Sequence, residues 1–243
     1  MLFGKKKSSQ RQNPIVVFKP GNEIITESFN RLKDNIVFQN VDNTIKVIQI
    51  SSSTACEGKT TVISNLAVSL ATNGNKVLLV DGDLRAPRLH HPFNLGNDFG
   101  LRDYVIGSKS FTEIIQKTSY NVDVICRGEK IENPSAVIAS QKFQGLIEEA
   151  KGKYDYVLID CPPVLEISDY LHISSISDGT IFCVAYGTTK KAFVKEAIAL
   201  LKKSNVKLLG TVMTMVDAKQ SRSYINGRYT NGRYTNYYYY NGK

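Results

Sequence analysis

The sequence predicts a doubly wound, mostly parallel α/β sheet with helices on both faces, and three observations predict it. Strands that are apolar on both faces alternate with helically spaced segments; the first strand runs into a phosphate-loop-like turn and then a helix; and two later strands end in aspartate. The stretch 46–52, KVIQISS, is rich in β-branched residues, and TTVISNLAVSLATNG places apolar residues at helical spacing before a closing Gly74. Further strands are expected at 76–81 (KVLLVD), 122–126 (VDVIC), 154–160 (YDYVLID), 180–186 (TIFCVAY) and 206–213 (VKLLGTVM). Helices are expected near 24–40, 110–118, 141–152, 168–177 and 189–204. The chain divides into a basic N-terminal extension (1–19), one large domain (20–216) and a tyrosine-rich tail (217–243).

A chain of 243 residues with 42% hydrophobic and 22% charged residues has ample material for a core. No run of eighteen apolar residues and no secretory signal is present, so a cytosolic protein is expected. Cys56, Cys126, Cys161 and Cys183 are widely spaced without a CxxC pair, which argues against a disulfide framework or a zinc knuckle. The net charge of +9 divides into +5 on 1–19, +4 on 217–243 and zero between. A basic nucleic-acid-binding face on the domain is therefore not expected; basic ends that feel anionic lipid or an acidic partner are. The tail carries NGRYT at 226–230 and again at 231–235, with almost no aliphatic residue to bury.

SSTACEGKTT (52–61) sits between a strand and a helix, the context a P-loop requires. Backbone N–H groups of Glu57, Gly58, Lys59 and Thr60 are expected to meet phosphate oxygens at the helix N-terminus. Lys59 supplies a cation, Thr60 a hydroxyl for Mg²⁺, and Thr61 completes the loop. The strict pattern has glycine where this chain has Ser53. VLLVDGDLR ends one strand with Asp81 and Asp83, and YVLIDCPP ends another with Asp160. In a parallel sheet the carboxyl ends of neighbouring strands converge on the ligand crevice, which would bring these acids beside the loop.

The P-loop, the DxDxR at 81–85, IDCPP at 159–163, LRAPRLH at 84–90, the NPS of ENPSAVIAS and the terminal tyrosine cluster together resemble the bacterial tyrosine kinases of capsular and exopolysaccharide synthesis. The resemblance covers about residues 20–216. It implies a P-loop NTPase fold and ATP-dependent protein-tyrosine phosphorylation. On it Lys59 and Thr60 bind ATP and Mg²⁺, Asp83 and Asp160 help hold the metal, and Asp81 accepts the proton of an attacking tyrosine. It also implies a homo-oligomer of the ring type, protein tyrosine substrates, and a membrane-anchored adaptor whose cytoplasmic C-terminal tail activates the kinase and keeps it at the inner face of the plasma membrane. Two other readings are a ParA/MinD-like ATPase switch and a weakly active interaction module of a polysaccharide export complex. The partition ATPases carry a signature lysine where this chain has Thr54, which counts against the first of these.

The chain departs from that family at identifiable points. Ala55 and Cys56 replace the Pro and Gly of PGEGK, and Cys56 beside Lys59 is a candidate for alkylation that Mg·ATP protects. Arg85 is expected to pair or to contact phosphate, and Arg88 to be solvated. In ESFNRLKDNIVF, Asn30 and Lys33 stand at the two arginine positions of the family's subunit-contact helix, with Glu27 and Asn35 retained and Arg31 out of register. A ring built on glutamate–arginine pairs should be weaker here, because neither asparagine nor lysine reproduces the guanidinium fork. Tyr224, Tyr229, Tyr234, Tyr237, Tyr238, Tyr239 and Tyr240 are the candidate autophosphorylation sites. A tail of 27 residues spans at most ~90 Å, enough to reach a neighbouring subunit's crevice.

Overall fold

β-branched and aliphatic runs form the centre of a seven-stranded sheet, described by a computed structural model over residues 15–204 and 207–216. The strands are β1 (Val47–Ser52), β2 (Val77–Asp81), β3 (Gln116–Lys117), β4 (Val122–Ile125), β5 (Tyr156–Asp160), β6 (Gly179–Ala185) and β7 (Leu208–Thr214), in the order β3-β4-β2-β5-β1-β6-β7. All neighbouring pairs are parallel except β3 with β4. Every residue of β1, β2 and β5 is buried, as continuous apolar strands covered on both faces require. β1 lies between β5 and β6, β2 between β4 and β5. The loops leaving the carboxyl ends of β1, β5, β2 and β4 are thus neighbours along one edge.

The helices are α1 (Glu23–Gln39), α2 (Lys59–Thr72), α3 (His90–Phe93), α4 (Leu101–Ile106), α5 (Pro134–Ile138), α6 (Gln141–Lys153), α7 (Tyr170–Ser175) and α8 (Lys191–Lys203). On one face, Val62, Ile63, Leu66 and Leu70 of α2 pack with Ile48, Ile50, Leu79 and Leu158. On the other, Phe143, Leu146 and Ile147 of α6 pack with Leu78, Val80, Val157 and Ile159. α8 closes a third cluster through Ala197 and Leu201 against Phe182. Full burial of one such side chain stabilises by roughly 1.5–3 kcal/mol, so the sheet is sealed chiefly by α2 and α6.

The helix expected at 110–118 is not formed. A 3₁₀ turn (Thr112–Ile114) leads instead into β3, and Asn121, in the left-handed region at φ 57°, reverses the chain into β4. The β-branched Thr112, Ile114, Ile115 and Thr118 suit that course better than a helix. The packing reaches back to Ile15, ahead of residue 20: Ile15 and Val17 are buried, and the amides of Val16 and Val17 donate to Asn65 Oδ1 at 2.7 and 3.1 Å. Among the described residues no helix is long and apolar enough to cross a membrane. The tail 217–243, with the candidate tyrosines from Tyr224 to Tyr240, and residues 1–14 of the basic extension lie outside the described residues.

Candidate active site

The loop between β1 and α2 is held open by backbone geometry. Gly58, the residue before α2, sits at φ 85°, and a Cβ there would come within 3.3 Å of the Thr214 side chain. Only glycine meets both conditions without strain. Cys56 is also left-handed, at φ 60°, and it is exposed. Thr214 at the end of β7 donates its hydroxyl to the Glu57 carbonyl at 2.8 Å, and the Ala55 amide donates to Glu166 at 2.7 Å. Glu57 turns inward: its Oε1 accepts from the Thr54 amide and hydroxyl, while its buried Oε2 has no hydrogen-bond partner. The loop therefore arrives braced, with the first N–H groups of α2 free of intrahelical partners, which is the arrangement that binds anions.

Lys59 opens α2 almost wholly buried, its Nζ donating to Ser52 Oγ at 3.3 Å. The next residue, Thr60, donates its hydroxyl to Asp160 Oδ2 at 2.6 Å, across 100 residues of sequence. Thr61 is exposed on the first turn. The register pairs Asp81 of β2 directly with Asp160 of β5, so the two carboxylates leave adjacent strand ends side by side. Gly82 keeps that junction tight: its amide donates to the Asp160 carbonyl at 2.9 Å, and a Cβ would sit at 2.9 Å from the same oxygen. Asp83, two residues on, caps its own turn by accepting from the Ala86 amide at 3.1 Å. Every candidate acid is thus brought to the edge that carries the loop of Lys59.

Both central carboxylates are under-satisfied. Asp81 is fully buried, with Oδ2 accepting from the Leu89 amide at 3.1 Å and Oδ1 without a partner; Asp160 Oδ1 likewise has none. Burial above all, and then the charges of Asp160 and Asp83, hold the Asp81 carboxyl well above the usual carboxylate range. Asp160 is pushed up to about 6, again by burial, against the opposing effects of the Thr60 hydroxyl and the Lys59 ammonium. Burial also pushes Cys126 up to about 12 and raises Cys161 and Cys183, so these thiols are inert core groups. Among the described residues no three His, Cys, Asp or Glu side chains form a metal cage by themselves. An all-oxygen set of Thr60, Asp83 and Asp160 suits a hard cation that keeps waters and shares phosphate oxygens.

Several contributors were invisible in the sequence. Thr214 and Glu166 brace the loop from other strands' ends. Arg85, expected to pair or meet phosphate, donates from Nη2 to Ser135 Oγ at 2.8 Å and lies 3.6 Å from Asp169, a buried acid that no motif marked.

Comparison with known proteins agrees with this geometry. Residues 45–188 match the model of the AAA domain family. Tyrosine-protein kinase YwqD of Bacillus subtilis (strain 168) is 34% identical, over 88% of this chain and 90% of that protein. The kinase domain of Escherichia coli tyrosine kinase ETK superposes with a TM-score of 0.74 at 28% identity, covering 79% of this chain and 77% of that one. The septum site-determining protein MinD of Pyrococcus horikoshii, complexed with Mg-ADP, shares the fold more distantly, with a TM-score of 0.61 at 26% identity over 73% and 76% of the two chains. The chain has the P-loop NTPase fold and belongs to the bacterial tyrosine-protein kinases of the capsule-biosynthesis type.

Proposed function

We propose that this kinase transfers the γ-phosphoryl group of ATP to tyrosine hydroxyls, among them its own tail residues in trans, and that it thereby regulates capsular or extracellular polysaccharide synthesis and export together with a membrane adaptor. The observation that carries the reading is the pair Asp81 and Asp160, side by side on β2 and β5, each with a buried oxygen that lacks a partner, beside the N-terminus of α2. Orphaned buried carboxylate oxygens are costly in the unliganded protein and are accounted for by a ligand that satisfies them.

In this reading the amides of Glu57, Gly58, Lys59, Thr60 and Thr61 and the Lys59 ammonium bind the phosphates. Thr60, Asp83 and Asp160 would hold Mg²⁺, which supplies charge neutralisation at the phosphates when bound. The tyrosine oxygen attacks the γ-phosphorus, the bond to the bridging oxygen of ADP breaks, and the hydroxyl proton passes to the Asp81 carboxylate. A raised proton affinity at Asp81 favours that transfer, since a hydroxyl of pKa near 10 yields its proton only as the new bond forms. Each phosphate adds about −1.5 to −2, so complete modification would take the tail from +4 to roughly −6 to −10. Unmodified tails then favour assembly or contact with anionic membrane, and modified tails disperse the complex.

The test is to incubate the purified chain, fused to the cytoplasmic tail of a candidate adaptor, with Mg·ATP and to probe for phosphotyrosine. Phosphotyrosine in the tail, lost in Lys59→Met, is expected. Steady ATP hydrolysis with no phosphotyrosine would favour a MinD-like switch instead, and neither activity in the presence of adaptor would leave only the interaction module.

A further inference from the structure

Three loops leave the carboxyl ends of β4, β2 and β5, which are consecutive in the sheet. The loop after β2, residues 82–89, begins at the two acids of the site and returns to one of them through the Leu89 amide on Asp81. Its middle is tied to both neighbouring loops. Arg85 reaches Ser135 at the start of α5, the Ser135 hydroxyl donates to Asp169 Oδ1 at 2.6 Å, and Asp169 Oδ2 lies 3.6 Å from Arg85 Nε. The Asp169 side chain is only 4% exposed and the Arg85 side chain 46%. A buried carboxylate with both oxygens engaged is a rigid anchor, whereas a half-exposed arginine alone would leave a surface loop mobile.

We propose that Asp169, acting through Ser135 and Arg85, is a positioning residue for phosphoryl transfer: it clamps the loop 82–89 and so fixes where Asp83 and Asp81 face the nucleotide. The inference deepens the kinase reading and rests on it. The geometry explains why the clamp is indirect. Among the described residues no hydrogen bond or ion pair joins Asp169 to Asp81, Asp83 or Asp160, or joins residues 57–61 to Arg85, Ser135 or Asp169, so the bracing of the nucleotide-binding loop by Thr214 and Glu166 and the clamp on the acid-bearing loop use different bonds. Displacing catalytic groups by an ångström costs rate far more than it costs ground-state binding.

Ser135→Ala, Ser135→Thr and Asp169→Asn are compared with the full wild-type chain by three measurements. Amide hydrogen exchange is expected to accelerate over residues 82–89 in Ser135→Ala and Asp169→Asn, and Ser135→Thr, which keeps the hydroxyl, is expected to restore it. Phosphotyrosine formation is expected to fall 10- to 100-fold in kcat in the first two, while the affinity for a fluorescent ATP analogue stays within twofold. Unchanged exchange over 82–89 would overturn the proposal whether or not the wild type phosphorylates tyrosine. Exchange that accelerates throughout the domain, with nucleotide affinity falling in parallel, would also overturn it by reducing the network to ordinary stability. A wild type without phosphotyrosine but with the local exchange pattern would instead sink the kinase reading and leave the clamp standing.

Discussion

The two edges of the sheet use the same residue type in opposite ways. At the amino edge Asp178 accepts from the Lys46 and Val47 amides at 2.9 and 2.8 Å and from Lys151 at 3.1 Å; Asp155 accepts from the Lys76 amide, and Asp123 accepts from Lys117 and the Tyr154 hydroxyl. At the carboxyl edge Asp81 and Asp160 are buried more deeply, with an oxygen each left unpaired and their proton affinities raised. The first set secures loops and strand starts; the second costs stability and holds reactivity. Aspartate at a strand end is thus not a functional sign by itself, and its unmet hydrogen-bonding capacity is.

The contrast is broken most forcefully at Asp81. Asp81→Asn keeps the shape and an acceptor for the Leu89 amide but has little affinity for a proton. Phosphotyrosine formation is expected to drop by about 10²–10⁴-fold, the usual contribution of a general base, with binding of a fluorescent nucleotide retained. Activity within tenfold of wild type would return Asp81 to the structural class of its amino-edge counterparts.

How far this contrast was legible beforehand depended on sequence distance. The course from β1 through the loop to α2, and the acids ending β2 and β5, could be read because periodicity and motif are local signals. The stretch 110–118 misled because Phe111, Ile114 and Ile115, at i, i+3 and i+4, imitate helical spacing, whereas the fold uses Ile114 as a buried plug ahead of a reversing turn. Thr214 on Glu57 spans 157 positions and Ser135 on Asp169 spans 34; Glu57 and Ser135 lie in motifs, but Thr214 and Asp169 lie in none, so only the assembled strand order brings each pair together. The pairing Asp81↔Asp160 was inferable in outline from parallel topology, but the missing partners of their outer oxygens were not.

A stability comparison sharpens the same difference. Asp178→Ala strips two amides and an ammonium of their acceptor and is expected to cost about 3 kcal/mol, a drop in Tm that leaves nucleotide binding per folded molecule intact. Asp160→Asn should do the reverse in nucleotide-free protein. A carboxyl whose pKa rises on folding binds its proton more tightly in the native state, so the wild type loses stability as pH climbs from the unfolded value through the folded one. With 3.8 rising to about 6, the stability advantage of Asp160→Asn, read as a higher Tm, should be small below pH 4, open between pH 4 and 6, and level off near pH 7 at about 3 kcal/mol. Equal melting curves at pH 7.5 would mean that Asp160 is as well satisfied as Asp178.

The smallest effect expected lies within the phosphate loop itself. Cys56 and Gly58 both occupy the left-handed region, but only Gly58 does so without a side chain. A non-glycine residue there is strained by about 1 kcal/mol, and at Cys56 this cost falls on the carboxyl edge, where the orphaned carboxylates also lie. Cys56→Gly should therefore raise Tm by about 2–4 °C, the shift that such an energy produces in a chain of this size, since the exposed thiol has no buried contact to lose. Nucleotide protection of Cys56 from alkylation separates strain kept for function from strain merely tolerated. If Mg·ATP shields the thiol and Cys56→Gly also weakens nucleotide binding, the side chain contributes to the site. If Tm rises and binding is unchanged, the loop tolerates cysteine where glycine would be less strained, and the bracing by Thr214 and Glu166 is what holds the conformation against that strain.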